Sequence, residues 1–235
     1  MRKLISYCLY GNKRMYAMGA LYNAWQVQQG QYPGWAAEFG IDDSVPAAVV
    51  SGLRDLGASV QDYTGLGFAG SARMLWRWMP LVDHKCGVMI SRDTDSCIFP
   101  CDHSTVEFWL EHVRTMSMTI RASESHGSVE SGPGYMGGLC GFRWAPVWRH
   151  LGCSLTEYAM QHKDPAGCGV DQAWLSYVVY PLMRDSYAEF GHGKDGDLPH
   201  KIQGEPGPVH MGAPWGPSGE LIGKMGWEKV CASCV

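Results

Sequence analysis

Between Lys3 and Tyr63 the chain alternates β-rich runs with runs of helical spacing, and this order limits what it can fold into. Lys3 to Leu9 reads as a first buried strand, closed by a turn at Gly11-Asn12-Lys13. Met15, Met18, Leu21, Tyr22 and Trp25 then fall on one face of a helix running from Met15 to Gln29. Trp35 to Phe39 is a second strand. Ser44 and Pro46 look like a helix start, with Val49, Leu53 and Leu56 as its apolar stripe and Gly57 as its stop. Ser59 to Tyr63 is a third strand. Strand, helix, strand, helix, strand is the pattern of an α/β domain with a mostly parallel sheet.

The remaining elements are shorter. Ser71 to Met79 reads as a short helix with Trp76 and Met79 on one face. Gly87 to Ser91 is a buried strand that runs into Arg92-Asp93-Thr94-Asp95-Ser96. Thr105 to His112 is a helix and Met116 to Ile120 a strand. Residues 123–138 form a long loop rich in Gly, Ser and Glu, and long loops in compact domains tend to be functional. Ser154 to Glu157 matches a capping box and predicts a helix start. Val170 to Leu182 is a helix with Trp174, Tyr177 and Val178 inward. Residues 191–219 are too rich in Gly and Pro for regular structure, so an irregular tail is expected.

Composition narrows the function classes. The charge sum is 19 − 23 = −4 at neutral pH, which argues against a general nucleic-acid coat. Hydrophobic residues make up 46% and charged residues 18%, which excludes a disordered chain. No apolar run reaches the roughly 20 residues of a membrane helix. Leu4 to Tyr10 is too short and too polar for a signal peptide, so a cytoplasmic protein is expected. Nine cysteines are scattered along the chain. Cys97/Cys101 and Cys231/Cys234 have metal-like spacing but lie far apart, so buried reduced thiols are expected over a zinc site.

The feature that carries most chemistry is Asp93-Thr94-Asp95, directly after an apolar strand. Ligands of open α/β sheets bind beyond the carboxyl ends of strands. Two carboxylates two residues apart in a turn can converge on one hard divalent cation, Mn²⁺ or Mg²⁺, which leaves open positions for phosphate oxygens. The plain alternative is a solvated turn that caps a helix.

Val88 to Ser96 resembles the Asp-x-Asp strand of GT-A glycosyltransferases. Ile5 to Gly11 followed by Tyr16 is similar to the first nucleotide-binding strand of small bacterial and viral members. Trp76-Arg-Trp-Met-Pro80, Glu107-Phe-Trp109, Tyr135 to Gly141 and Gly169-Val-Asp-Gln-Ala-Trp-Leu175 are similar to their elements in the same order. His210-Met-Gly-Ala-Pro-Trp215 resembles the His-Gly-Pro-Trp element of the glycogenin-like branch, with Ala213 where that branch carries Lys. Lys201 or Lys224 could supply the missing cation.

The resemblance implies a single GT-A domain over 1–235, with a mixed, mostly parallel sheet. Residues 1–96 would be the nucleotide-binding half, 97–190 the acceptor-side half and 191–235 the tail. It implies Asp93, Asp95 and His210 as metal ligands. Ser6, Tyr7 and Tyr10 would lie against the base and ribose. Arg73, Arg77 and Arg92 would face the donor phosphates or sugar. Gly137 and Gly138 would let the backbone approach the donor sugar, and His126 would contact donor or acceptor. Asp171 would face the reacting centre; the plain alternative for an Asp there is a helix cap.

The function implied is metal-dependent transfer from a nucleotide-diphosphate sugar, UDP-linked by preference, to a glycan hydroxyl in a bacterial or virus-infected cytosol. Retention of anomeric configuration is favoured over inversion. Two alternatives stay open. One is transfer to a hydroxymethylcytosine base in viral DNA, for which Arg114, Arg121, Arg143 and Arg149, interleaved with Trp144 and Trp148, could form a basic strip. The other is a nucleotide-sugar-binding module without activity. A metal-dependent phosphate hydrolase is a weaker competitor, because its usual Lys/Thr pair has no counterpart here.

Overall fold

The computed structural model describes residues 2–121, 134–161, 169–191, 200, 201 and 203. One mixed sheet runs through them, built from β1 (Lys3–Leu9), β2 (Trp35–Ile41), β3 (Ser59–Asp62), β4 (Val88–Arg92), β5 (Ser117–Arg121), β6 (Leu139–Arg143), β7 (Tyr187–Gly191) and β8 (His200–Lys201). Their order across the sheet is β3-β2-β1-β4-β6-β5-β7-β8. β6 alone runs opposite to the rest, pairing antiparallel with both β4 and β5. The α/β class and the mostly parallel mixed sheet read from the sequence are therefore observed.

Helices cover both faces. On one side lie α1 (Arg14–Gln28), α2 (Ala47–Asp55) and α4 (Pro100–His112); on the other, a 3₁₀ segment (Gly70–Trp78), α3 (Met79–Val82), α5 (Val147–Gln161) and the run of α6 (Val170–Trp174) through a wider turn into α7 (Tyr180–Met183). Alternation along β1 divides its side chains between the two layers. Ile5, Tyr7 and Leu9 join Ala20, Ala24, Leu53 and Val106; Leu4 and Cys8 join Trp76, Trp78, Trp148 and Trp174. No described helix is long and apolar enough to cross a membrane.

Several local readings are corrected. Ser44 does not cap α2, whose first residue follows Pro46. Its hydroxyl instead bonds Asp42 and accepts from the Gly11 amide at 2.6 Å, tying the β1–α1 turn to the β2–α2 loop. Ser154 lies inside α5, which starts seven residues earlier and buries Trp148, Leu151, Leu155 and Ala159 as one stripe. Tyr177 is 80% exposed, because the wider turn over Leu175–Val179 shifts the helical phase away from the regular spacing. The tail is regular at His200–Lys201, where β8 pairs with Phe190 and Gly191 of β7. The Gln203 amide then donates to the Thr105 hydroxyl on α4 at 3.0 Å.

Cys8, Cys86, Cys97, Cys101 and Cys140 are buried thiols and Cys153 an exposed one; Cys231 and Cys234 lie outside the described residues.

Of the basic strip expected around Trp144 and Trp148, Arg149 stacks 5.3 Å from the Trp144 ring centre, but two other members turn inward. Trp148 is fully buried. Arg143 turns inward to the end of α4, donating to the carbonyls of Thr115, Trp109, Leu110 and Val113 while stacking 4.9 Å from the Trp109 ring. Leu110 is among the last carbonyls of the helix, which lack intrahelical partners, so this guanidinium satisfies a group the helix cannot. Arg143→Ala is expected to lower stability by about 2 kcal/mol, since charge-assisted bonds contribute roughly 1.5–3 kcal/mol. Chemical denaturation of the variant measures it, and an unchanged midpoint would show that water replaces the side chain without loss.

Candidate active site

The order of the sheet reverses between β1 and β4: from β1 the chain proceeds outward to β2 and β3, and β4 returns on the other side. In an open α/β sheet such a reversal leaves a crevice beyond the strands' carboxyl ends. A cavity of about 400 Å³ occupies that place. Cys8, Leu9 and Tyr10 line it from the end of β1, and Asp93 to Ser96 from the end of β4. Met136 to Leu139 contribute from the lead-in to β6, and Asp171 and Gln172 from the start of α6.

Arg77 is the buried cation of the cavity. Its Nη1 lies 2.7 Å from Asp93 Oδ1 and 3.6 Å from Asp171 Oδ2, and its Nη2 donates to Cys8 Sγ at 3.3 Å. The 3₁₀ segment carries it there because Leu75, Trp76 and Trp78 anchor the same turn in the core. Burial raises the Asp171 carboxyl above the usual range against the pull of Arg77. Burial, with Asp93 beside it, pushes the Asp95 carboxyl up to about 7. Two of the cavity's three carboxylates, on Asp93 and Asp171, thus lie within 4 Å of one guanidinium, and Asp95 lines the same cavity.

Two glycines let the backbone approach those carboxylates. A Cβ on Gly138 would lie 2.0 Å from Asp93 Oδ2, and one on Gly137 would lie 2.8 Å from Asp171 Oδ2. Any side chain there would displace a carboxylate. The loop is held from both sides: Ser91 Oγ donates to the Gly137 carbonyl at 2.6 Å, and the Gly137 amide donates to Gln172 Oε1 at 3.1 Å. Gln172 also donates to the Tyr135 carbonyl.

Of the residues singled out from the sequence, Tyr10, Arg77, Asp93, Asp95, Gly137, Gly138 and Asp171 line the cavity. Arg73 stands beside it, its guanidinium 2.8 Å from Asp42 and 5.6 Å from the Tyr10 ring centre. Three others are placed elsewhere. Arg92 points to the opposite face of the sheet, where its Nε donates to Asp102 Oδ2 at 2.8 Å and its Nη2 to Oδ1, with both residues buried. Tyr7 stacks on Phe39 in the core at 4.6 Å, and Ser6 is buried between β2 and β4. Position along β1 rather than the face places Ser6 and Tyr7 so: the cavity lies beyond the strand's carboxyl end, which Cys8 to Tyr10 reach. His126, His210 and Lys224 lie outside the described residues. The backbone of Lys201 is in β8, four strands from β4, roughly 19 Å at about 4.8 Å per strand.

No family profile matches the chain, and no curated protein matches it. Among solved structures it is similar to a glycosyltransferase involved in glycosylation of the major capsid of PBCV-1, at 11% identity over 82% of each chain, TM-score 0.49. It is similar to glucosyl-3-phosphoglycerate synthase from Mycobacterium tuberculosis bound to Mn²⁺, UDP and glucosyl-3-phosphoglycerate, at 10% identity over 87% of this chain and 73% of the other, TM-score 0.48. It is also similar to the galactosyltransferase LgtC with donor and acceptor sugar analogs, at 13% identity over 81% and 73%, TM-score 0.45.

The fit to a divalent cation can be judged from the side chains. Among the described residues no three His, Cys, Asp or Glu side chains form a ready cluster for one ion. Asp93 and Asp95 supply two carboxylate groups two residues apart, and carboxylate oxygens suit a hard cation. One or two carboxylates with substrate phosphates are a sufficient set for a Mg²⁺-type ion, and His210 lies outside the described residues.

Sequence reasoning missed Cys8, Thr94, Met136 and Gln172 as cavity residues. Gln172 had a readable signal, since it follows Asp171 at a helix start; the others become cavity residues only through the strand order.

Proposed function

We propose that this chain is a GT-A glycosyltransferase that binds a nucleotide-diphosphate sugar, UDP-linked by preference, together with Mn²⁺ or Mg²⁺, and transfers the sugar to a glycan hydroxyl. The observation that carries this reading is that Asp93, Asp95 and Asp171 line one cavity at the β1/β4 crevice, with buried Arg77 paired to Asp93 and Asp171. A diphosphate is the ligand whose charge such a site can manage only with a bridging cation. Asp93 and Asp95 would hold the metal, which when bound supplies positive charge to the leaving diphosphate.

The chain's own residues would do the rest. Arg77, fixed between Asp93 and Asp171, adds a second positive group where charge develops. The Gly137–Gly138 backbone gives the sugar a close, side-chain-free wall. Tyr10 and Arg73, at the β1 end, would flank the base and ribose. Asp171 would orient the sugar hydroxyls in a retaining reaction, in which a leaving phosphate oxygen takes the acceptor proton. In an inverting reaction its raised pKa would suit a general base. Retention is favoured.

A thermal-shift screen of nucleotide sugars with and without Mn²⁺ tests the proposal. At a hundredfold excess over Kd, one donor is expected to add about 2.7 kcal/mol of stability, and only with metal. No stabilisation by any nucleotide sugar in either condition would overturn the reading.

The proposal also carries a pH signature. Metal binding requires the carboxylate, and the Asp95 carboxyl is pushed up to about 7 without metal. Mn²⁺ affinity should therefore rise with pH up to about 7, approaching tenfold per unit below it, and level off above. Titration calorimetry from pH 5.5 to 8.5 reads this, and a flat profile would exclude Asp95 as the ligand that loses a proton.

A further inference from the structure

We propose that Asn23 and Gly19 on α1 are positioning residues that set the reach of the Asp93–Asp95 turn, and so the affinity of the site for its cation. This rests on the reading of those carboxylates as metal ligands.

Gly19, Asn23 and Gln26 are spaced four and three residues apart, which puts them on one face of α1. That face lies against the turn. A Cβ on Gly19 would come within 2.2 Å of the Thr94 carbonyl oxygen and 3.1 Å of Asp95 Cα, so only glycine lets the helix sit this close. Asn23 is fully buried, and its Nδ2 donates to the Thr94 carbonyl at 3.1 Å and the Asp93 carbonyl at 3.5 Å. Gln26 fastens the exit of the turn, donating to the Ile98 carbonyl at 3.0 Å and accepting from the Ile98 amide at 3.3 Å. The backbone between the two carboxylates is thus held by a helix some seventy residues earlier in the chain.

The chemistry of Asn23 points to placement of the turn over general stability. A buried amide costs free energy unless its groups are paired. Here both donor contacts go to the turn, while Asn23 Oδ1 has no hydrogen-bond partner among the described residues. An apolar side chain of similar volume would remove the orphaned Oδ1 but would leave the Thr94 and Asp93 carbonyls without this donor, so what the amide specifically secures is the turn backbone. What an apolar residue cannot do is fix the orientation of the Thr94 peptide, from which Asp93 and Asp95 both project.

The test compares the full-length wild type with Asn23→Leu, Gly19→Ala and Val106→Ala. Val106 is a fully buried residue of α4, away from the cavity, and serves as a control for plain core damage. Melting temperature and Mn²⁺ dissociation constant are measured for each, the latter well below every melting point. Groups that orient metal ligands typically contribute 10–100-fold to metal affinity. Asn23→Leu and Gly19→Ala are expected to weaken Mn²⁺ binding at least tenfold, while Val106→Ala, though less stable, binds within twofold of wild type. Should Asn23→Leu fail to fold, Gly19→Ala, which keeps the amide, decides the matter. Wild-type affinity in both α1 variants would overturn the inference and leave the metal reading intact. Loss of affinity in step with melting temperature across all three variants would also overturn it. If the wild type binds no Mn²⁺, with or without UDP, the metal reading itself fails and this inference falls with it.

Discussion

Asp95→Ala is expected to abolish metal-dependent donor binding and to lower transfer by roughly a thousandfold, while the protein stays as stable as the wild type or becomes more so. The activity figure follows from losing several kcal/mol of charge stabilisation, at about 1.4 kcal/mol per decade of rate. The stability expectation follows from the sign of the pKa shift. Burial raises the folded-state pKa of Asp95, with Asp93 adding to it, so the folded protein holds that proton more tightly than the unfolded chain does. A raised carboxyl therefore costs stability as pH climbs from about 4 to 7, the interval between the two pKa values. Removing the carboxyl removes that cost. Melting curves at pH 5 and 8 without metal, paired with a transfer assay, check both halves. Near-normal transfer without added metal would show that Asp95 is not a ligand.

Asp102→Ala should be the most destabilising single change at an ionic group of the fold. It strands Arg92, 2% exposed, without its carboxylate partner beneath the sheet. Breaking a buried pair from one side costs about 3–5 kcal/mol, whereas replacing both partners with apolar residues is often neutral. For a chain of this length the loss corresponds to a fall in melting temperature of roughly 10 °C. The double variant Arg92→Met/Asp102→Leu is expected to recover most of it and to bind donor normally. Failure of donor binding in that stable double variant would return Arg92 to the list of donor contacts.

Arg92 also shows where sequence reading stops. Its position beside Asp93 suggests a phosphate ligand, but strand alternation turns adjacent side chains to opposite faces, and its partner ten residues on becomes visible only when α4 packs beneath β4. The first half of the sheet was legible because its strands read as short, β-rich, buried runs set off by turn signals from stretches of helical spacing. β6 was not: Leu-Cys-Gly-Phe-Arg is short, and its glycine reads as loop. β7 was not read either, since Tyr187–Gly191 is short and lies between the helix read to Leu182 and the Gly- and Pro-rich stretch from residue 191. In the candidate site, Asp93, Asp95 and Asp171 could be read because carboxylates at element ends have few roles. Gly19 and Asn23 could not, because on an amphipathic helix they look like ordinary interior positions until the turn 70 residues away lies against them.

The lone reversed strand has a consequence for what the crevice is made of. Had β6 run with its neighbours, the chain would arrive at its far end, five residues or roughly 17 Å away at about 3.3 Å per residue. Running backward, it delivers its entering peptide beside the exits of β1 and β4. One change of direction thus gives the crevice two independent walls, one from outgoing strands and one from an incoming strand. The incoming wall, Met136 to Leu139, is held through the pairing of β6 with β4 and β5, and the outgoing wall through the pairing of β1 with β2 and β4.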